Sequence, residues 1–288
     1  MRLATLADGT PDGCLVVVCA DAARCVAVGA PAPTMQQALE RWAEVEPALR
    51  DLQRSLDAGS AEGIRRFDAA AACAPLPRAW QWLDGSAYRS HGDLMSTVFK
   101  LDKPPSDERP LMYQGVSDRF LAPTADVPLP SADDGIDFEG EFGVITDAVP
   151  MGASRAEALR HVRLVVLIND WSLRRIAPIE MKTGFGWIQA KPASSMAPIA
   201  VTPDELGAGW RDARVQMRLE VDWNGSRFGA AHGGPMAFGF DQLVAHAAYS
   251  RDLVAGTIIG SGTVSNDDYR VVGSSCIAER RAIEMLDK

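Results

Sequence analysis

The segment DFEGEFGVIT, from Asp137 to Thr146, places the tightest constraint on the fold. Phe138, Phe142, Val144 and Ile145 suit burial, yet Glu139 and Glu141 stand two positions apart among them. Side chains two apart on a strand point to one face, so two like charges would lie side by side. Such charges repel, and a buried carboxylate without a partner is unfavourable. Either the segment is an edge strand whose polar face meets water, or a cation sits between the two glutamates.

The rest of the chain narrows the choice of protein class. With 288 residues, 47% of them hydrophobic, it can bury a sizeable core in one large domain or in a small one plus a large one. Its 38 acidic and 29 basic residues give a formal charge of −9. The basic residues are scattered, which argues against a nucleic-acid partner. The longest apolar run, CLVVVCA from Cys14 to Ala20, has a strand's length and not that of a membrane span. The opening MRLATLADGT has no apolar signal core, so a cytoplasmic protein away from membranes is expected. Cys14, Cys19, Cys25, Cys73 and Cys276 are odd in number and form no C-x-x-C pair. They are expected as small hydrophobes, not as a disulfide framework or zinc site.

The pattern predicts an α+β, β-rich fold in two parts. Short strands come first, in RLATL, CLVVVCAD and CVAVGAPAPT, split by the Asp8-Gly9 and Asp12-Gly13 turn signals. A helix follows, with Thr34 as its cap and Gln37 completing a capping box. The Ala/Pro-rich FDAAAACAPLPRA reads as a linker, so the boundary is placed near residue 75, giving units 1–75 and 76–288. Beyond it, strands are predicted at Asp137–Thr146, Val162–Asp170, Met196–Thr202, Val215–Gly225 and Gly256–Val264. Asn224-Gly225 is a hairpin signal. Helices are predicted at SRAEALRHV, capped by Ser154, and at FDQLVAHAAYSRDL.

Several acids stand at strand ends. The apolar VRLVVLIND stops at Asn169-Asp170, where Asp170 would be held rigidly as a site residue, start a turn or cap a short helix. In WLDGSAYRSH, Asp84 and His91 lie seven apart. Asp84, Glu139, Glu141 and Asp170 together make an all-oxygen set that suits a hard cation and does not suit zinc.

The motifs DGSAYRSH, PLMYQGVSDRFLAPTADVPLP, DFEGEFGVI, LINDWSLR, QAKPASSMAP, GTIIGSGTVSN and GSSCIAE, in that order, resemble the fumarylacetoacetate hydrolase family over about residues 78 to 284. The opening also resembles the N-terminal domain of bacterial members. The resemblance implies a small N-terminal β-containing domain followed by a mixed β-roll, barrel-like, built around a divalent cation. Mg²⁺ is the expected ion, with Ca²⁺ or Mn²⁺ as alternatives. It also implies a homodimer acting on a small diketo or oxo acid.

Carried over by position, the resemblance makes Asp84, Glu139, Glu141 and Asp170 the metal ligands. It makes His91 the general base, Glu279 its orienting carboxylate and Lys191 the cation that polarises a substrate oxygen. Tyr113, Thr263 and Arg174 fall at substrate contacts, and Lys100 is a candidate for a substrate carboxylate. The implied reaction is hydrolysis of a carbon–carbon bond in a β-diketo acid, as in aromatic or tyrosine catabolism.

Three departures bear on this. Ala177 stands where fumarylacetoacetases carry a glutamine, GDLMSTVFK after His91 is less basic than in related bacterial sequences, and the chain stops at Lys288, where either a shortened member or a truncated chain is expected. Alternatives are a decarboxylase, hydratase or isomerase of a 2-oxo acid on the same fold, or a non-catalytic shortened relative.

Overall fold

The computed structural model describes residues 1–99 and 108–288. The N-terminal strands β1 (Arg2–Leu6), β2 (Cys14–Val18) and β3 (Arg24–Ala27) form an antiparallel meander, with two-residue β4 (Arg65–Arg66) at its edge. Helices α1 (Met35–Glu40) and α2 (Trp42–Asp57) cover it. The Thr34 hydroxyl accepts from the Gln37 amide at 3.2 Å, as expected of a cap. The helix that Thr34 caps breaks at Arg41, whose φ of −126° and ψ of 31° leave the helical region, and resumes at Trp42.

The second part supplies β5 (Trp82–Ser86), β6 (Leu111–Gly115), β7 (Ile136–Asp137), β8 (Gly140–Thr146), β9 (Val162–Asn169), β10 (Ser172–Leu173), β11 (Ser195–Met196), β12 (Ile199–Val201), β13 (Trp210–Arg211), β14 (Arg214–Val215), β15 (Arg218–Trp223), β16 (Ser226–His232) and β17 (Ile258–Gly260). Helices α3 (Arg89–Phe99), α4 (Arg155–Leu159), α5 (Ala177–Met181), α6 (Phe240–Ala247), α7 (Tyr269–Val272) and α8 (Ile277–Leu286) surround them. One mixed sheet runs in the order β4-β3-β2-β1-β12-β9-β8-β17-β5-β6, with β11 also paired to β9. Its path is open, ending at β4 and β6, so the barrel-like expectation is corrected to an open sheet among the described residues. β1 joins the two parts by pairing with β12, Leu3 opposite Ala200.

Alternate residues of the central strands enter two different cores. Trp82, Ile145, Leu164, Val166, Ile168 and Ile258 pack with Met35, Leu39 and Trp42. Leu83, Phe142, Val144, Val165 and Ile259 pack with Phe240, Leu243 and Val244. A sheet covered on both faces explains why residues 164–168 of β9 form a continuous apolar stretch instead of an alternating one.

This arrangement decides the question raised by the two glutamates. β8 lies between β9 and β17 in the sheet interior, and Glu139 and Glu141 are both buried. The water-facing edge strand is therefore excluded. The continuous strand expected from Asp137 to Thr146 is in fact split, with β7 pairing to β10 and β8 starting at Gly140. In the gap, Phe138 turns edge-on to Trp223 and Phe228 of the β15–β16 hairpin, with ring centroids 6.2 and 5.1 Å away. That hairpin turns at Asn224-Gly225, whose φ angles of 51° and 76° suit the right-handed twist of the strands.

Candidate active site

Asp84, Glu139, Glu141 and Asp170 converge from different parts of the chain, and each offers an oxygen within 4.8 Å of the others. Asp84 sits on β5 opposite Gly260 of β17. A Cβ at Gly260 would lie 2.3 Å from Asp84 Oδ1, so only glycine leaves room for the carboxylate. Gly262, with φ of 77°, donates its amide to the same oxygen at 3.1 Å. Asp170 follows β9, and its amide donates to the Glu139 carbonyl at 3.0 Å. No helix starts there: Ser172–Leu173 is a strand, so the helix-cap reading of Asp170 is overturned.

The four acids divide into two pairs. Asp170 accepts from Lys191 Nζ at 2.7 Å, from the Tyr113 hydroxyl at 2.5 Å and from Ser194 Oγ at 2.7 Å. Glu139 accepts from Lys191 Nζ at 3.1 Å, from Ser172 Oγ at 3.2 Å and from Arg174. Burial opposes ionisation of Glu139, but Lys191 and Arg174 outweigh it and hold the carboxyl far below its usual range. The same exchange raises Lys191, whose burial is outweighed by Asp170 and Glu139.

Asp84 and Glu141 have no such cations. Both Glu141 oxygens are buried, and among the described residues no N–H or hydroxyl donor reaches them; the Asp84 carboxyl is their close polar neighbour. Burial, with the neighbouring carboxylates, pushes Asp84 and Glu141 well above the usual carboxylate range. With all four acids ionised, Lys191 and Arg174 counted wholly toward the cluster would still leave two negative charges, which protonation removes in the cation-free protein and a divalent cation would offset. Orphaned oxygens, a deficit of positive charge and hard donors only are what a divalent cation requires.

Beside this cluster, His91 Nδ1 lies 2.8 Å from Glu279 Oε2. Glu279 is fully buried on α8, and its other oxygen accepts from Ser265 Oγ at 3.1 Å. His91 stands on α3, its side chain 17% exposed. Trp187 covers Tyr113, with centroids 4.9 Å apart, and Lys191 Nζ lies 5.3 Å from each ring. Thr263 is buried directly after Gly262. Lys100 lies outside the described residues.

Several site residues escaped the reading of the sequence. Ser172, Ser194 and Ser265 hold the acids, Trp187 roofs Tyr113, and Cys276 joins His91 and Glu279 in a cluster within 4.8 Å. Asp137, also missed, is buried and accepts from Arg174 Nε at 2.8 Å and from two amides of α8. Its signal was present in DFEGEF as a third acid, at i−2 from Glu139.

A mixed sheet with a buried four-acid cage at its strand ends, flanked by a His–Glu pair, defines a class, and comparison with known proteins agrees. The profile described as fumarylacetoacetate (FAA) hydrolase C-terminal matches residues 81–284, and fumarylacetoacetase N-terminal domain 2 matches residues 1–78. The chain belongs to the fumarylacetoacetate hydrolase family. It is 29% identical over 162 residues to the 2,4-didehydro-3-deoxy-L-rhamnonate hydrolase of Sphingomonas sp. (strain SKA58), covering 55% of this chain and 54% of that protein. The chain thus spans about half the length of the curated relatives it matches. In structure it is similar to maleylpyruvate hydrolase from Sphingobium sp. SYK-6, solved with manganese (II) ion and pyruvate. That match has a TM-score of 0.67 at 17% identity, over 96% of this chain and 90% of that one. It is also similar to 5-carboxymethyl-2-hydroxymuconate delta-isomerase from Mycobacterium smegmatis, with a TM-score of 0.60 at 19% identity, over 91% and 87%. Among the described residues no helix is long and apolar enough to cross a membrane.

Proposed function

We propose that this protein is a divalent-cation-dependent hydrolase that cleaves a carbon–carbon bond in a β-diketo acid of the acylpyruvate or fumarylacetoacetate type, in aromatic catabolism. The observation that carries the reading is the His91–Glu279 pair, 2.8 Å apart, beside a cage of four buried acids. Asp84, Glu139, Glu141 and Asp170 would hold the cation, for which we assign Mg²⁺; the manganese bound by maleylpyruvate hydrolase supports a hard divalent ion. When bound, it supplies Lewis acidity toward a dicarbonyl oxygen and stabilises the negative charge that develops there.

The chain's own residues do the rest. With Glu279 as acceptor, His91 carries its proton on Nδ1 and presents Nε2 as a base toward water. The activated water attacks the distal carbonyl carbon, and Lys191 Nζ donates to the oxygen that becomes negative. The bond between that carbon and its neighbour breaks, and His91 returns the proton to the departing carbon. Trp187 and Tyr113 wall the site, and buried Thr263 follows Gly262, whose amide serves Asp84. Tyr113 and Thr263 are assigned to substrate contact, Lys100 to a substrate carboxylate. Arg174 is engaged by Asp137 and Glu139, so we assign it to holding the cage. Residues 1–75 and 76–288 are assigned as supporting and catalytic domains, and the active form as a homodimer.

Isomerases and decarboxylases of this fold need an enolate but can omit a base that activates water; the oriented His91 favours hydrolysis. The test is to incubate the Mg²⁺-loaded protein with a panel of acylpyruvates and follow loss of enol absorbance. No turnover across the panel, with the cation shown to be bound, contradicts the proposal.

A further inference from the structure

We propose that Asp137 is a positioning residue that fastens the orienting carboxylate Glu279 to the cation cage, so that base and cage keep one fixed relation. The inference rests on the assignment of His91 as base. Asp137 is 1% exposed. Its Oδ1 accepts from the Ile277 amide at 2.7 Å. Its Oδ2 accepts from the Ala278 amide at 2.9 Å and from Arg174 Nε at 2.8 Å. Ile277 and Ala278 are the first two residues of α8, and Glu279 is the third. The other end of the Arg174 guanidinium reaches Glu139. One buried carboxylate therefore ties the helix that aims Glu279 at His91 to the arginine that aims Glu139 into the cage.

Glu279 takes no part in capping its own helix. The first amides of a helix lack partners within it, and a glutamate at the third position commonly folds back to serve its own helix end. Here Asp137 serves the first two amides from outside, and Cys276 Sγ accepts from the Glu279 amide at 3.3 Å. Both Glu279 oxygens are instead committed to His91 and Ser265. The negative charge of Asp137 also suits the positive end of the α8 dipole.

Asp137→Asn is the sharp test. An asparagine keeps the shape but has one acceptor oxygen for three donors, so an α8 amide or Arg174 must go unserved. In Mg²⁺-loaded, ¹⁵N-histidine-labelled protein, the wild type should show a protected His91 Nδ1 proton. In the variant that proton should exchange at least about tenfold faster, and kcat on an acylpyruvate should fall about ten- to a hundredfold with KM within about twofold. A purely structural Asp137 would lower thermal stability and leave the His91 proton and kcat unchanged, which overturns the proposal. Should the variant not fold, hydrogen exchange in the wild type decides. The protection factors of the His91 Nδ1 proton and of the Ile277 and Ala278 amides, each taken against its own intrinsic exchange rate, should agree, whereas a His91 proton protected well beyond the two amides refutes the link. If the wild type turns over no acylpyruvate, the functional proposal fails, and the exchange measurements still judge the role of Asp137.

Discussion

Replacing Glu141 with glutamine removes one negative charge from the cage and keeps the side chain's shape. In the cation-free protein both Glu141 oxygens are buried with no N–H or hydroxyl donor among the described residues, and burial together with Asp84, Asp170 and Glu139 disfavours its charge. A buried unsatisfied group costs about 1–3 kcal/mol, and more if charged. Glu141→Gln should therefore stabilise the cation-free protein at neutral pH by about 2 kcal/mol, raising Tm by about 4–8 °C for a chain of this size. The pH dependence has a definite sign. A carboxyl raised in the folded state binds more protons there than in the unfolded chain, so the wild type loses stability as pH rises from the ordinary carboxylate range through the raised value. The advantage of the variant should be small near pH 4 and grow toward neutrality. Mg²⁺ should reverse the order. At a hundredfold excess over Kd it stabilises the wild type by about 2.7 kcal/mol, and the variant, short of one anionic ligand, should gain much less. Calorimetric melts of both proteins in chelator, in Mg²⁺ and in Na⁺ at matched ionic strength test this. Coincident curves for the two proteins, with no Mg²⁺ shift beyond the Na⁺ control, would refute the cage.

The other predictions probe neighbouring parts of the site. His91→Asn should lower kcat about 10²–10⁴-fold while Mg²⁺ affinity, measured by calorimetry, stays near the wild-type value. Lys191→Met strips a buried cation from Asp170 and Glu139, so the cation-free protein should lose about 3–5 kcal/mol, read from urea melts. Gly260→Ala would set a Cβ 2.3 Å from Asp84 Oδ1, and Mg²⁺ affinity should drop about ten- to a hundredfold in the same titration.

The acids of the cage were legible because each interrupts or ends an apolar segment, where charge is conspicuous. Asp84 in WLDGS, Glu139 and Glu141 in DFEGEF, and Asp170 in LIND all stand out this way. Whether Glu139 and Glu141 met water or a cation was not legible, because it depends on β8 having β9 on one side and β17 on the other. β9 begins only after an intervening turn and α4, and β17 comes from near the chain's end. Asp137 was passed over for a similar reason, since its partners on α8 lie 140 and 141 positions away. The serines are common surface residues, and only burial against a carboxylate marks Ser194 or Ser265 as part of the site. The open sheet also exceeds what local pattern conveys: pairing of β1 with β12 spans about two hundred residues, and nothing in RLATL announces it.

The most direct test of the central claim is hydrolysis of an acylpyruvate by Mg²⁺-loaded protein in H₂¹⁸O, with the products resolved by mass spectrometry. Two products are expected, pyruvate and a carboxylic acid whose new carboxyl oxygen is ¹⁸O, formed by the wild type and nearly abolished in His91→Asn. Release of CO₂, an isomer of unchanged mass, or intact substrate with Mg²⁺ demonstrably bound would contradict it.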